Sequence, residues 1–280
     1  MLHRSIAVLL IAALTTACSA HVRGDGSGTP SPSVATSTFS LAVPSTSASP
    51  SPSRTPTPTR TPTHTTPRPA PSSSAGNRLP LDFATGDATQ VITAVAPSMS
   101  STSGTLQAWQ KTAAGWQQVG APVQAWFGTD GLTNHMSESI SATPVGSFTL
   151  TQAFGADPNP GTGLPYFRTT QADWWISQTT GPGAALYNTH QHCSGSCAFT
   201  QGAPNEHLAD ELPYYNYAVV IDYNTDNAPG GVRLGAGSAV FLHVTVHAPT
   251  AGCVAIDESR LVAIMQWLKP SAHPRILIGV

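Results

Sequence analysis

The chain has 280 residues, of which only 9% are charged, and its formal net charge is −2. The charge is unevenly spread, because residues 79–280 carry six Lys or Arg and thirteen Asp or Glu, a net charge of −7. A segment this acidic has no basic patch to follow a phosphate backbone. Composition therefore argues against a nucleic-acid-binding function.

The N-terminus predicts an export signal over residues 1–18. A short basic start is followed by an apolar run at 5–14, which is shorter than the roughly 20 residues of a membrane span. A small residue, Ala17, then precedes Cys18 in the manner of a bacterial lipoprotein signal. We expect Cys18 to be lipidated, which would anchor an exported protein to the outer face of the cytoplasmic membrane. The alternative is ordinary cleavage after Ala17 or Ala20, which would give a secreted protein.

Residues 19–78 are predicted to be a disordered tether. The stretch 24–76 alone holds 11 of the 25 prolines, and Ser and Thr make up most of the remainder. Such a composition buries too little apolar surface to offset the entropy lost on ordering. It suits a spacer between a membrane and a folded domain.

Residues 79–280 are long enough for one domain with its own core. Their pattern is mainly strand-like, with short runs rich in Val, Ile, Thr and aromatic residues between Gly, Pro, Asn and Asp. The predicted strands are 90–96, 105–111, 146–152, 217–223, 239–246 and 275–280. This pattern favours a mainly β fold, a sandwich of mixed sheets.

A single C-terminal helix is predicted after Asp257, which can cap its first turn. Apolar residues then recur at three- and four-residue spacing, and Pro270 ends the pattern. The apolar residues are Leu261, Ile264, Met265 and Leu268.

The cysteines suggest different uses for the four thiols. Cys18 belongs to the signal, and Cys193 and Cys197 lie in a short Cys-Ser-Gly-Ser-Cys loop that can close a disulfide in an exported protein. Cys253 is then left without a partner, either as a reactive thiol or as a buried structural one. A zinc site made by His190, His192, Cys193 and Cys197 is a weaker alternative, because the spacing matches no standard zinc pattern.

Two histidines precede Cys253 on the predicted strand 239–247. Alternation places an aliphatic set, Val240, Leu242, Val244 and Val246, on one face of the strand. The opposite face carries Phe241, His243, Thr245 and His247. Since a neighbouring imidazole can take the proton of a thiol, His243 and Cys253 predict nucleophilic acyl transfer, with His247 as the rival base.

The chain resembles the catalytic domain of the L,D-transpeptidase (YkuD-like) family. The segments that carry the resemblance are Gly237-Ser238-Ala239-Val240-Phe241-Leu242-His243, Thr250-Ala251-Gly252-Cys253-Val254, Thr143-Pro144-Val145-Gly146-Ser147-Phe148, Tyr187-Asn188 and 217–224. The resemblance extends over roughly residues 90–280 and is closest to actinobacterial-type members.

The resemblance assigns roles residue by residue. It implies that Cys253 is the nucleophile and His243 the general base, whose other ring nitrogen is oriented by the backbone carbonyl of Val244. Gly252 would support the turn, and the amides of Gly252 and Cys253 would form an oxyanion hole.

The implied reaction is acyl transfer on peptidoglycan stem peptides, with no metal and no cofactor. The thiolate attacks the carbonyl of the third stem residue, usually a diamino acid, and expels the terminal D-alanine. The amine of a second stem then resolves the thioester and gives a 3→3 cross-link, whereas water would make the enzyme an L,D-carboxypeptidase.

The chain departs from the family pattern at two positions. Ala251 stands where members often have His or Arg, and Ala255 stands where they often have Arg. These changes put substrate positioning in doubt and motivate a second hypothesis, a non-catalytic peptidoglycan-binding lipoprotein on the same scaffold. A third hypothesis, an adhesive or structural surface protein, would use the Pro/Ser/Thr tail as its working part.

Overall fold

The computed structural model describes residues 77–280. The predicted signal, the lipidation site at Cys18 and all but the last two residues of the predicted tether lie outside the described residues. Within the described part, no helix has both the length and the apolar character needed to cross a membrane.

The described chain is mainly β. Its strands are β1 Gln90–Val95, β2 Ser103–Thr112, β3 Gly115–Trp126, β4 Leu132–Thr133, β5 Thr143–Pro144, β6 Gly146–Thr149, β7 Ala153–Gly155, β8 Tyr166–Arg168, β9 Asp173–Trp175, β10 His190–His192, β11 Glu206–His207, β12 Ala218–Val220, β13 Phe241–Val244, β14 Val254–Ile256 and β15 Arg275–Gly279. The α-helix found here is α1, Glu258–Trp267. Short 3-10 helices span Pro182–Leu186, Tyr214–Asn216 and Pro270–Ala272.

Ten strands form one large mixed sheet in the order β6-β15-β1-β2-β3-β14-β13-β12-β7-β8. Three pairs are parallel, namely β1 with β15, β13 with β14, and β7 with β8, and the others are antiparallel. Two small sheets, β10-β9-β11 and β4-β5, accompany it. The prediction of a mainly β fold with one C-terminal helix is confirmed, and the main layer is a single curled sheet.

The core lies inside the curl of the sheet. Ile92 on β1 and Ile276 on the neighbouring strand β15 are fully buried in one apolar cluster with Leu242 on β13, which lies several strands away in the sheet. Because each strand alternates, only its inward side chains join this cluster.

The helix α1 closes one side of this core. Leu261, Met265 and Leu268 are fully buried in the cluster, and Ile264 packs against it, as the predicted periodicity requires. Asp257 is the N-cap residue by position, but its side chain makes no capping hydrogen bond. Its carboxylate instead lies 3.6 Å from the ring nitrogen Nε2 of His247.

The long hairpin β2–β3 contains a strand that the sequence did not predict. Strand β3 pairs along most of β2, with a register shift between Leu106 and Ala108. There, residues 120–122 bulge opposite Gln107, whose side-chain amide donates to the carbonyls of Val119 and Gly120. The bulge accommodates Pro122, which has no N–H to give to the ladder.

Candidate active site

The candidate nucleophile and base lie on neighbouring parallel strands. His243 is on β13, where its register partner on β14 is Ala255, and Cys253 immediately precedes β14. Both side chains line one cleft of about 440 Å³. Three connecting segments supply most of its other walls, the loop 136–141, residues 204–215 and the loop 245–252.

The strand that carries His243 is shorter than predicted. Alternation holds from Val240 to Val244, with the Val and Leu side chains in the main core and Phe241 and His243 on the opposite face. The strand ends at Val244, and Val246 is 43% exposed instead of lying in the core. The predicted alternation was therefore wrong beyond Thr245.

The rival base, His247, lies beyond the end of the strand and outside the cleft. Its φ of 61° is left-handed, so the chain turns away from the strand direction there. The His247 ring is 70% exposed, faces Asp257 and does not line the cleft. Of the two predicted bases, His243 is the one that the structure brings into the cleft with Cys253.

The thiol of Cys253 is held by two backbone groups. Its Sγ accepts a hydrogen bond from the Phe241 amide at 3.3 Å and donates to the Ala239 carbonyl at 3.3 Å. The residue is only 8% exposed. Because burial disfavours the charged form, it raises the thiol pKa, and the nearby Glu206 carboxylate raises it further. The resting thiol is therefore uncharged.

The imidazole of His243 has a defined tautomer. Its Nδ1 lies 2.8 Å from the Val244 carbonyl, the partner that the resemblance implied, and a carbonyl oxygen only accepts. Nδ1 must therefore carry the hydrogen, which leaves Nε2 with a free lone pair. Burial lowers the pKa of His243 to about 4, so this ring is neutral at pH 7.

Two tyrosine rings pack edge-on against the imidazole. The ring centroid of Tyr214 is 5.9 Å from that of His243, and the centroid of Tyr215 is 5.7 Å away. Tyr215 also packs against Phe241 in the second apolar cluster, and its hydroxyl donates to Glu206 at 2.8 Å. The base is thus oriented by a carbonyl on one edge and by aromatic rings around it.

The turn before Cys253 is fixed by two threonine hydroxyls. The hydroxyls of Thr143 and Thr250 donate to the Cys253 carbonyl at 3.2 and 2.8 Å. Thr250 also accepts from the Gly252 amide at 3.1 Å. This bond engages the Gly252 amide, so of the two amides expected to form an oxyanion hole only that of Cys253 donates no hydrogen bond within the described residues. Gly252 itself, at a φ of 140°, supports the turn.

Asn188 holds the backbone of Ala239, which accepts the hydrogen bond of the Cys253 thiol. Its side-chain oxygen accepts from the Ala239 amide at 3.0 Å and from the Trp175 indole at 2.8 Å. Ala239 has a left-handed φ of 53°, and its carbonyl is the one that receives the thiol hydrogen. Sequence analysis quoted Asn188 in the resemblance but gave it no role at the site.

Carboxylates are the charged side chains of the cleft. Glu138, Glu206 and Glu211 line it, and no Lys or Arg does so among the described residues. Burial raises the pKa of Glu206 to about 7, and Glu211 and Glu138 add to the effect, while the Tyr215 hydroxyl opposes it. Ala251 and Ala255 also line the cleft, so the positions where the family often carries basic residues offer no cation here. Sequence analysis missed all three glutamates.

Three aromatic residues near the cleft do not line it. Trp174 and Trp175 are buried on β9, and the buried Tyr187 donates a hydrogen bond from its hydroxyl to Glu138, which does line the cleft. Cys193 and Cys197 are joined in a disulfide.

The zinc alternative does not assemble. The two sulfur atoms are bonded to each other, and His190 and His192 both hydrogen-bond to Asp173. Across residues 77–280, no group of three His, Cys, Asp or Glu side chains is arranged to hold a metal.

Comparison of the chain with protein-family models, with curated proteins and with solved structures gives no match. The function therefore has to be argued from the geometry of the cleft.

Proposed function

We propose that this protein is a cysteine-dependent acyltransferase of the cell wall, an L,D-transpeptidase on a YkuD-like β-sandwich scaffold. One observation carries the proposal: His243 and Cys253 line the same cleft, and the Nδ1 bond to Val244 leaves Nε2 able to accept a proton. A base oriented by a carbonyl and a thiol in one cleft are the components that acylation of a thiol needs.

Acylation begins as Nε2 of His243 takes the thiol proton and Sγ attacks the scissile carbonyl. The amide of Cys253 is available to the oxyanion that forms, since it donates no other hydrogen bond within the described chain. The imidazolium then protonates the leaving D-alanine amine and returns to the neutral form. A thioester remains on Cys253, and the amine of a second peptidoglycan stem resolves it into a 3→3 cross-link.

The test is acylation of the purified protein by a carbapenem, a class that commonly acylates this family, followed by intact mass and peptide mapping. We expect one adduct on Cys253 and release of D-alanine from a tetrapeptide stem. Cys253→Ala is the control for the site of attachment. An unmodified Cys253 together with no D-alanine release would reject the proposal.

A matched pair of variants tests the assignment of the base. His243→Ala should slow acylation by about 100-fold or more, the usual contribution of a general base. His247→Ala should slow it less than threefold, because its ring lies outside the cleft. The reverse order would move the base to His247.

The second candidate function is a non-catalytic peptidoglycan-binding lipoprotein. It is favoured by the burial of Cys253, whose thiol pKa is raised, and by a cleft that no Lys or Arg of residues 77–280 lines. It predicts that stem peptides bind equally well to the native protein and to Cys253→Ala, with no adduct formed by either.

We also propose that the protein is exported and anchored through a lipid on Cys18. Metabolic labelling with a radioactive fatty acid should mark the wild-type protein and leave Cys18→Ser unlabelled. Labelling of the variant would rule out lipidation at this residue.

A further inference from the structure

The second half-reaction proposed above needs a base that the thiol–imidazole pair does not supply. An alkylamine is an ammonium ion at neutral pH, because its pKa is roughly 10. It must lose one proton before it can attack the thioester and a second one as the amide forms. His243 ends acylation neutral and has one free ring nitrogen, so it can take only one of these protons.

Glu206 lies where a second base is needed. Its carboxylate lines the cleft, and its Oε2 accepts from the hydroxyl of Tyr215, whose ring packs on His243. Its backbone is fixed in the three-stranded sheet, since β11 pairs with β9 opposite Trp175. The other oxygen, Oε1, has no hydrogen-bond partner among the described residues and is not fully buried, and Glu206 lines the cleft.

The other two cleft carboxylates are less suited. The carboxylate of Glu138 is occupied by the hydroxyl of Tyr187. Within the described residues, Glu211 meets Tyr215 through its backbone carbonyl, which accepts from the Tyr215 amide, and not through its carboxylate. Its effect on the pKa of the Cys253 thiol is also weaker than that of Glu206. Of the three cleft carboxylates in the described chain, that of Glu206 is the one that binds Tyr215, whose ring packs on His243.

We propose that Glu206 is a catalytic residue of the second half-reaction, which deprotonates the ammonium group of the acceptor; this inference rests on the transpeptidase function proposed above. The Glu206 carboxylate takes one proton from the ammonium and becomes a carboxylic acid. The free amine attacks the thioester carbonyl and forms the C–N bond, while its second proton passes to Nε2 of His243. The C–S bond breaks, the imidazolium returns its proton to Sγ, and Glu206 releases its proton to solvent.

The surroundings of Glu206 suit this role. Tyr215 donates to it, Glu211 and Glu138 add negative charge near it, and the Cys253 thiol is close enough to feel its charge. Burial, with the charges of Glu211 and Glu138, raises the pKa of Glu206 to about 7 against the opposing effect of the Tyr215 hydrogen bond. Glu206 is therefore a stronger base than an exposed glutamate and is still partly ionised at pH 7.

The experiment separates the two half-reactions. The purified protein is first acylated on Cys253 with a tetrapeptide donor, and the thioester is then resolved with an alkylamine or with hydroxylamine, which is already uncharged at neutral pH. In Glu206→Gln we expect acylation within threefold of the native rate, alkylamine transfer slower by about 100-fold, and hydroxylamine transfer within threefold. Asp210→Asn, which removes a negative charge close to Glu206 in the sequence but outside the cleft, should change every rate less than threefold.

Unchanged alkylamine transfer in Glu206→Gln, or an equal loss with both amines, would overturn the role of Glu206. A native protein that is acylated but never transfers to an amine would also overturn it, whereas a native protein that is not acylated would overturn the transpeptidase function itself.

If the variant does not fold, the pH dependence of alkylamine transfer by the native protein tests the same role. Its alkylamine transfer should rise with pH and level off above about pH 7, where Glu206 is ionised. A tenfold rise per pH unit continuing toward the pKa of the free amine would show that solution deprotonation supplies the nucleophile and would refute the proposal.

Discussion

The uncharged resting state of Cys253 and His243 gives a quantitative prediction for thiol alkylation. A free thiol, with a pKa of roughly 8.5, is about 3% thiolate at pH 7. Burial and Glu206 raise the pKa of Cys253 above the usual value, so its thiolate fraction must be smaller. With a pKa of about 4, only about one His243 ring in a thousand is protonated at pH 7, and the lowering from 6.5 corresponds to about 3 kcal/mol against the charged ring.

The assay is the rate of iodoacetamide alkylation of Cys253 from pH 5 to 9.5, read by intact mass. Burial slows the reagent equally at every pH, so the shape of the profile decides and not the absolute rate. We expect the rate to rise throughout this range with no plateau. His243→Ala should change alkylation less than threefold at pH 7, because the native ring does not stabilise a resting thiolate.

A plateau that begins below pH 7 would refute the reasoning. It would show that a thiolate–imidazolium pair already exists before substrate binds, as in cysteine enzymes whose thiol pKa is strongly lowered. A loss of alkylation of tenfold or more in His243→Ala would lead to the same conclusion.

Three further predictions concern stability, each measured by chemical denaturation. Thr143→Val should lower the unfolding free energy by about 2–3 kcal/mol, because the Cys253 carbonyl and the Gly128 amide each lose a hydrogen-bond partner. The control is Thr89→Val at an exposed position, which should lower it by less than about 0.5 kcal/mol. Gly252→Ala should lower the unfolding free energy by about 2 kcal/mol, since φ is 140° and the new Cβ would lie 3.0 Å from the Ala142 oxygen. Gly86→Ala, whose new Cβ would have nothing within 4 Å, should lower it by about 1 kcal/mol. Equal losses in the two variants would contradict the packing argument. Glu206→Gln should gain stability relative to the native protein as pH rises from 4.5 to 7, by at most about 3 kcal/mol. The reason is that the native fold keeps the Glu206 carboxyl protonated over this range, while the unfolded chain releases the proton. A stability difference that does not vary with pH would exclude the raised pKa.

Local patterns in the sequence predicted what depends on local chemistry. Alternation placed His243 opposite the aliphatic core residues as far as Val244, and the helix periodicity identified the buried face of α1. Alternation failed after Thr245 because the strand ends at Val244 and the chain turns at the left-handed residue His247, which a hydrophobic pattern does not report.

Strand β3 was missed for a different reason. Most of its residues are exposed or partly exposed Gln, Gly, Val and Pro, so it has no apolar face to give a period of two. It is held by its antiparallel partner β2 across most of its length. Its stability therefore comes from a partner strand and not from its own composition.

Local sequence patterns also did not predict that Glu138, Glu206 and Glu211 line the cleft. Glu206 belongs to a two-residue strand, and Tyr215 to a single 3-10 turn. Only long-range packing brings them to His243, so neither periodicity nor motif spacing marks them. One cue was available: residues 79–280 carry thirteen acidic residues and only six Lys or Arg.

The two contacts of the Asn188 carbonyl oxygen have a consequence for how the protein folds. They tie Trp175 in the small three-stranded sheet to Ala239, and Ala239 in turn receives the thiol hydrogen of Cys253. The link between Asn188 and Ala239 joins residues 51 positions apart, and closing so long a loop is slow compared with forming a hairpin such as β2–β3. We expect protection of Cys253 from thiol reagents to appear late in refolding, so that the thiol reports when the chain has assembled.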